Sequence, residues 1–264
     1  MKDFFSPNPV VLAHRGDSVR YPENTMPAFE SAVAMGVDVI ETDVHLTKDG
    51  EVVIWHDDSL ERMSGDPRKI TDMNWNEVQE INAAYQFTPD KGKTFPYRES
   101  PIPPVLLKDL LSRFPEMRFN VDLKDKKKEL AEQHGKILVE TEALSRVVTA
   151  SFHGNVLAHF RKRFPRALTS CTSLEVIKFL VLYHTRLLYF PLPCKMKVLQ
   201  VPEISGKITV LTHGFISALH KRGLKVQVWT VNEQDEMRRF LKMGVDGIFT
   251  DRPALLLETL KKGE

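Results

Sequence analysis

The first apolar run, Pro9-Val10-Val11-Leu12-Ala13, is short and ends on His14-Arg15-Gly16. Such a run, closed by a glycine, reads as a buried strand leading into a loop. Pro22-Glu23-Asn24-Thr25 and then MPAFESAVAMG follow, a helix with Asn24 or Thr25 as cap and Pro27 in its first turn. Gly36 ends that helix, and Val37 to Val44 begins a second strand at once. The β-α-β spacing predicts a parallel sheet. Lys48-Asp49-Gly50 is a hairpin signal, and Val52-Val53-Ile54-Trp55 is the return strand, ending on His56-Asp57. Too few residues separate these two strands for a parallel crossover.

Beyond His56 the pattern weakens, and residues 59 to 103 read as a small insertion with a helix at Trp75 to Ala84. Ile102 to Leu111 re-enters as a helix packed on the sheet. Alternation then resumes with strands at 119–124, 147–152, 167–171, 197–201, 226–231 and 247–251. Helices fall between them, at 128–142, 214–222 and 233–243. Leaving out the hairpin return strand, eight parallel strands remain. That number closes an α/β chain into a (β/α)8 barrel, with an extended hairpin after strand 2, in a single domain spanning 1–264.

The composition fits this and excludes little else. A chain of 264 residues with 42% hydrophobic and 27% charged residues is ordinary for a globular domain of barrel size. A formal net charge of +2 argues for no nucleic-acid partner, and Lys126-Lys127-Lys128 and Lys221-Arg222 read as solvated faces. The two cysteines, Cys171 and Cys194, have no metal-ligand spacing and no disulfide framework, which fits a reducing compartment. Met1 to Pro9 lacks the apolar core of a cleavable signal, and no stretch is apolar for long enough to span a bilayer. The expected location is cytoplasmic.

Chemistry enters where the second strand breaks its own pattern. Val39 to Val44 is apolar and β-branched but carries Glu41 and Asp43, which share one face because strand side chains alternate. Folding the hairpin about Asp49-Gly50 sets His56 almost opposite Glu41. Two carboxylates on one buried face repel and cost desolvation unless a positive group lies between them. An all-oxygen donor set suits a hard divalent cation, Mg²⁺ or Ca²⁺, rather than zinc. The alternative is that one acid faces solvent and pairs with an arginine or lysine.

In a (β/α)8 barrel the working residues sit at the carboxyl ends of the strands. His14, Glu41 with Asp43, Asp122 with Lys124, Ser151-Phe152 and Trp229 all fall at such ends. Each has an ordinary reading: a core histidine, a solvated ion pair, a tryptophan filling the barrel. Five coincidences on one rim favour a site.

Several of these motifs together resemble the glycerophosphodiester phosphodiesterases. His14-Arg15-Gly16, Pro22-Glu23-Asn24-Thr25, Glu41-Thr42-Asp43-Val44 and His56-Asp57 are similar to the family's N-terminal signature. Asn120-Val121-Asp122-Leu123-Lys124, Trp229-Thr230-Val231-Asn232 and Gly247-Ile248-Phe249-Thr250-Asp251-Arg252-Pro253 resemble its later motifs. The resemblance implies a TIM barrel and metal-dependent hydrolysis of glycerophosphodiesters. It implies Glu41, Asp43 and Asp122 as ligands of Mg²⁺ or Ca²⁺, and His14 and His56 as the catalytic pair. Arg15 and Lys124 match the phosphate-contacting cations. Where this chain has Asp122 the family often has glutamate, one methylene longer. The sequence does not distinguish the histidines, and we take His14 as base and His56 as acid.

The stretch 174–193, LEVIKFLVLYHTRLLYFPLP, is unusually apolar for a segment after a strand. It is either a helix covering the barrel or an apolar lip that accepts an acyl chain and touches a membrane peripherally. It resembles the corresponding stretch of the family's lysophospholipase D-like branch, which implies a lysophospholipid as the other candidate substrate. Trp229 stacks on glycerol carbons or a choline-like cation, or else only packs. The alternatives are a related barrel phospholipase of the sphingomyelinase D or phosphatidylinositol-specific phospholipase C kind, and a non-catalytic barrel that binds lipid or phosphate. Nothing in the sequence speaks to oligomeric state.

Overall fold

The computed structural model describes residues 3–189 and 196–261. Cys194 and the end of the apolar stretch, 190–193, lie outside the described residues. Strand β1 (Val10–His14) leads through helix α1 (Met26–Met35) to β2 (Val39–Leu46), which turns back into β3 (Val52–Ile54). The insertion holds the short helices α2 (Glu61–Ser64) and α3 (Trp75–Val78). Strand β4 (Val105–Leu106) and helix α4 (Leu107–Arg113) return the chain to the barrel. There β5 (Arg118–Leu123), α5 (Lys128–Glu140), β6 (Val147–Ala150), α6 (Gly154–Arg163), β7 (Leu168–Thr169) and α7 (Ser173–His184) alternate. After β8 (Val198–Val201) comes a small hairpin of β9 (Ile204–Ser205) and β10 (Ile208–Thr209). Helix α8 (His213–His220), β11 (Lys225–Val228), α9 (Gln234–Met243), β12 (Gly247–Thr250) and α10 (Pro253–Lys261) complete the fold.

The parallel strands pair in the order β7-β6-β5-β2-β1-β12-β11-β8. A parallel bridge from Ser170 to Val198 joins the two edge strands, so the sheet of eight comes close to closing on itself. Period-two alternation decides what faces inward. On β1, Val11 and Ala13 pack under the helices, while Val10 and Leu12 join Val39, Val148, Val198 and Phe249 in the barrel's apolar floor. His14 continues the Val10 and Leu12 side. On β2, Ile40 and Val44 face the helices, leaving Val39, Glu41 and Asp43 inward. Phe119, Val121 and Leu123 of β5 do the same for Asn120, Asp122 and Lys124. Above the apolar floor a polar layer crosses the barrel, where Gln200 Nε2 donates to Asn120 Oδ1 (2.7 Å) and to Gln227 Oε1 (2.9 Å).

Three expectations change. The helix expected at Trp75 to Ala84 stops at Val78, because residues 79–84 turn back to bury Val78 and Ala83 against Trp55, Leu60 and Met63 in a core of the insertion's own. The helix expected over 102–111 begins only at Leu107. Pro103 and Pro104 lack N–H donors and favour extended backbone, so Val105 and Leu106 pair with β3 instead. The cap of α1 is Thr25, yet its hydroxyl donates back to the Pro22 carbonyl rather than capping the helix. Among the described residues no helix is long and apolar enough to cross a membrane.

Candidate active site

Parallel pairing sets the site's levels. His14 aligns with Glu41, Glu41 with Asn120, and Asp43 with Asp122. Aligned residues of parallel neighbours point the same way, so the imidazole and three acids meet inside the barrel mouth. The hairpin brings in His56. Val44 pairs with Ile54, and the Trp55 N–H donates to the Asp43 carbonyl (3.0 Å), so His56 follows one residue past the Asp43 level. The resulting cavity, about 460 Å³, is lined by His14, Arg15, Glu41, Asp43, His56, Asp122, Lys124 and Trp229 together with an apolar wall. All eight residues singled out from the sequence line it.

The turn after β1 is shaped by contact. Gly16 has φ +85°, and a Cβ there would lie 2.8 Å from the Ala28 carbonyl carbon, so helix α1 seats against it only if it is glycine. Arg15 also has positive φ, unusual for a side-chain-bearing residue. Its backbone N–H donates to the Glu41 carboxylate (3.1 Å), and its guanidinium reaches Glu23 (2.9 Å) and Asp43 (3.3 Å). Asn24 donates to Asp43 (3.0 Å) and accepts from Thr42 (2.8 Å), which gives the Pro22-Glu23-Asn24-Thr25 motif a structural task.

Lys124 stands between two acids, its Nζ 3.0 Å from Asp43 and 3.1 Å from Asp122. Burial alone would lower its ammonium, but the two carboxylates reverse that and hold its pKa up. Burial likewise pushes Asp43 up, and Lys124 and Arg15 overcome it, so Asp43 lies below the usual carboxylate range. At Asp122 burial wins over Lys124, and at Glu41 burial and the neighbouring Asp43 act together, so both are raised. The paired-acid alternative therefore describes Asp43, but in a buried setting rather than at a solvated strand end.

Three buried acids crowd this site, and the buried Asp122 Oδ1 has no hydrogen-bond partner among the described residues. Among the described residues no three acidic, histidine or cysteine side chains are arranged to hold an ion as they stand, since the Lys124 ammonium lies between Asp43 and Asp122. An all-oxygen donor set nevertheless suits a hard divalent cation.

Each histidine has its own carboxylate. His14 Nδ1 lies 2.6 Å from Asp251, and His56 Nδ1 lies 2.6 Å from Asp57. Both acids are held below the ordinary range, since the hydrogen bonds they receive outweigh burial. An ionised carboxylate only accepts, so each Nδ1 carries the proton and each Nε2 is left for exchange. Burial lowers the His14 pKa, but Glu41 and the Asp251 hydrogen bond raise it further, and the net shift is up. At His56 burial outweighs Asp43 and the net shift is down. Their surroundings thus shift the two imidazoles in opposite directions.

Several partners received no role from the sequence. Asp251 also accepts from Asn232 (2.6 Å), and both stand in motifs already quoted. Arg62, from the insertion, bridges Glu23 (2.6 Å) and Asp57, tying Arg15 and His56 to one external cation. No local signal marks Arg62. Trp229 is half-buried and meets Phe152 edge-on, with ring centroids 6.1 Å apart. The opposite wall comprises Val176, Ile177 and Leu180 of α7 with Ile208 and Val210.

Comparisons with known proteins agree on the kind of molecule this is. The family described as "Glycerophosphoryl diester phosphodiesterase family" matches residues 14–255. A glycerophosphodiester phosphodiesterase of Bacillus altitudinis is 32% identical, covering 92% of this chain and 94% of its own. Rat lysophospholipase D GDPD1 is 27% identical over 94% of this chain and 85% of its own length. In structure, the chain superposes with a TM-score of 0.82 on the glycerophosphoryl diester phosphodiesterase domain of a Mycobacterium tuberculosis protein, at 21% identity, covering 97% of this chain and 99% of that one.

Proposed function

The chain belongs to the glycerophosphoryl diester phosphodiesterase family and is a phosphodiesterase acting on glycerophosphodiesters, and from that premise we propose that the residues around this cavity carry the hydrolysis as follows. The observation that carries the reading is the meeting, in one barrel mouth, of two carboxylate-backed histidines with two cations and three buried acids. Family membership sets aside the related barrel phospholipases and the non-catalytic barrel.

A phosphodiester resists attack because its own negative charge repels nucleophiles and its alkoxide leaves poorly. Arg15 and Lys124 receive that charge, already positioned by their carboxylates, so little reorganisation accompanies the transition state. His14 and His56 pass protons at Nε2, one taking the proton of the attacking hydroxyl and the other giving one to the departing alcohol. The bond from phosphorus to the head-group oxygen breaks as a new phosphorus–oxygen bond forms, to water or to a glycerol hydroxyl through a cyclic phosphate. The products are the alcohol and glycerol 3-phosphate. Asp251 and Asp57 hold the imidazoles in the required tautomer. Glu41, Asp43 and Asp122 would hold a divalent cation, Mg²⁺ or Ca²⁺, which when bound would neutralise phosphate charge and polarise the phosphorus. Trp229 supplies a flat face for glycerol carbons or a quaternary ammonium head group.

The apolar wall favours a second substrate class. Val176, Ile177, Leu180 and Ile208 offer nothing to a water-soluble diester but would shelter an acyl chain, with lysophosphatidic acid as product. Product analysis on glycerophosphocholine and lysophosphatidylcholine, with added Mg²⁺ or Ca²⁺, tests both readings. Cleavage of neither substrate overturns the proposal, and cleavage of glycerophosphocholine alone leaves the wall a packing surface.

A further inference from the structure

Helix α7 is apolar on two sides. Phe179 is buried, and Val176, Leu180 and Tyr183 pack onto the core, as a covering helix requires. Its outward side carries Leu174, Ile177 and Val181, each more than half exposed, at the three- and four-residue spacing of one helical face. Such an outward apolar stripe on a covering helix has no partner among the described residues. Two neighbouring segments repeat the pattern. Ile204 and Ile208 stand more than half exposed on the β9–β10 hairpin, and Phe152 does so on the loop after β6. Of the ten exposed large apolar side chains among the described residues, these three segments carry six, and each segment also lines the cavity. The patch therefore borders one opening rather than being scattered, which marks it as an interaction surface.

Charge says what would cover it. The acids beside these segments are already neutralised, Glu175 by Arg161 (2.7 Å) and Glu203 by Arg239 (2.7 Å). Lys178 and Lys207, exposed on the same helix and hairpin, make no ion pair among the described residues, and Arg186 just beyond α7 is exposed as well. Apolar side chains that protrude among unneutralised cations match a surface whose outside is anionic and whose inside is hydrocarbon.

We propose that α7, the β9–β10 hairpin and Phe152 form a docking face for an anionic lipid bilayer, set along one side of the cavity mouth. Leu174, Ile177, Val181, Ile204 and Ile208 enter the interface, and Lys178 and Lys207 lie against the lipid head groups. The inference goes beyond the reaction, since the face carries no reacting group. It also orients the molecule, with the barrel's carboxyl end turned to the lipid.

The test is co-sedimentation of the full chain with vesicles of phosphatidylcholine alone and of phosphatidylcholine mixed with phosphatidylserine. Binding is expected only to the mixed vesicles and is expected to weaken with salt. The Lys178→Glu/Lys207→Glu variant should bind on the order of ten-fold more weakly. Leu174→Ser/Ile204→Ser should lose binding while hydrolysing glycerophosphocholine as before, which shows that the barrel has folded. Absence of binding to either vesicle, or undiminished binding by both variants, overturns the proposal. So does a concentration-dependent dimer that the Leu174→Ser/Ile204→Ser variant abolishes, because the face would then belong to a second copy of the chain. Sedimentation requires no turnover, so an inactive but vesicle-binding protein would count against the proposed reaction alone.

Discussion

Along β1, β2 and β5 the barrel rim carries charge in nearly every inward position, each group pinned by another. From β6 round to β11 the same rim carries Phe152, the α7 wall, Ile208 and Trp229, held by burial and ring packing. Charged groups need fixed neighbours to be tolerable in a low-dielectric interior, so the first arc is rigid and specific. Apolar contacts are non-directional, so the second arc is less tightly specified than the first. If the proposed roles hold, reaction and recognition are divided between the two arcs, and substitutions in each should move different kinetic constants.

The largest effect is expected in the charged arc. His14→Ala and His56→Ala should each lower kcat by about 10²–10⁴-fold while vesicle binding is unchanged, measured by steady-state kinetics on glycerophosphocholine. A fall in KM-dependent binding alone, with kcat intact, would break the division. Next in size is removal of the divalent cation proposed for Glu41, Asp43 and Asp122. Exhaustive chelation should abolish turnover, Mg²⁺ or Ca²⁺ should restore it, and Asp122→Asn should raise the concentration needed for half-restoration. Calorimetric titration of that variant with the metal checks the site without reference to turnover.

The apolar arc should respond more gently. Ile177→Ser and Leu180→Ser should each raise KM for lysophosphatidylcholine by roughly ten-fold, and leave glycerophosphocholine untouched, because each removes apolar area worth ~1.5 kcal/mol. Equal effects on both substrates would show that the wall only supports the fold. A last effect, on stability rather than on turnover, lies outside both arcs. His134, fully buried in α5, has its pKa lowered by burial to about 3. Below pH ~6.5 the unfolded chain takes up a proton there and the folded chain does not, so stability is lost as the solution is acidified through the window from ~6.5 down to 3, by about 1.4 kcal/mol per pH unit. Denaturant melts against pH should show this slope, and His134→Gln should remove that contribution.

The charged arc was far more legible in the sequence than its supports. Glu41 and Asp43 interrupt an apolar strand, and Asp122 and Lys124 do so on another, and strand periodicity alone turns them to one face. Their pairings were not legible. Asp251 reaches His14 across 237 residues, and nothing near Arg62 announces that it will clamp both Glu23 and Asp57. How each imidazole titrates depends on those partners, and they lie far from it in the chain or carry no local signal. In the apolar arc the composition of 174–193 drew attention, but the β9–β10 hairpin, two residues per strand, is too short to leave a periodic trace.

By itself, the sequence determined the alternation of strands and helices, the count of eight, and which side chains end each strand. All of these follow from local periods of about 2 and 3.6 residues and from capping and turn chemistry. Only the tertiary structure decided that Lys124 lies between Asp43 and Asp122, and that each histidine has a carboxylate behind it. It alone decided that an apolar face borders the cavity mouth. Those facts depend on which strand ends meet when the sheet closes and on how deeply each group is then buried, and neither quantity is a property of any short stretch of chain.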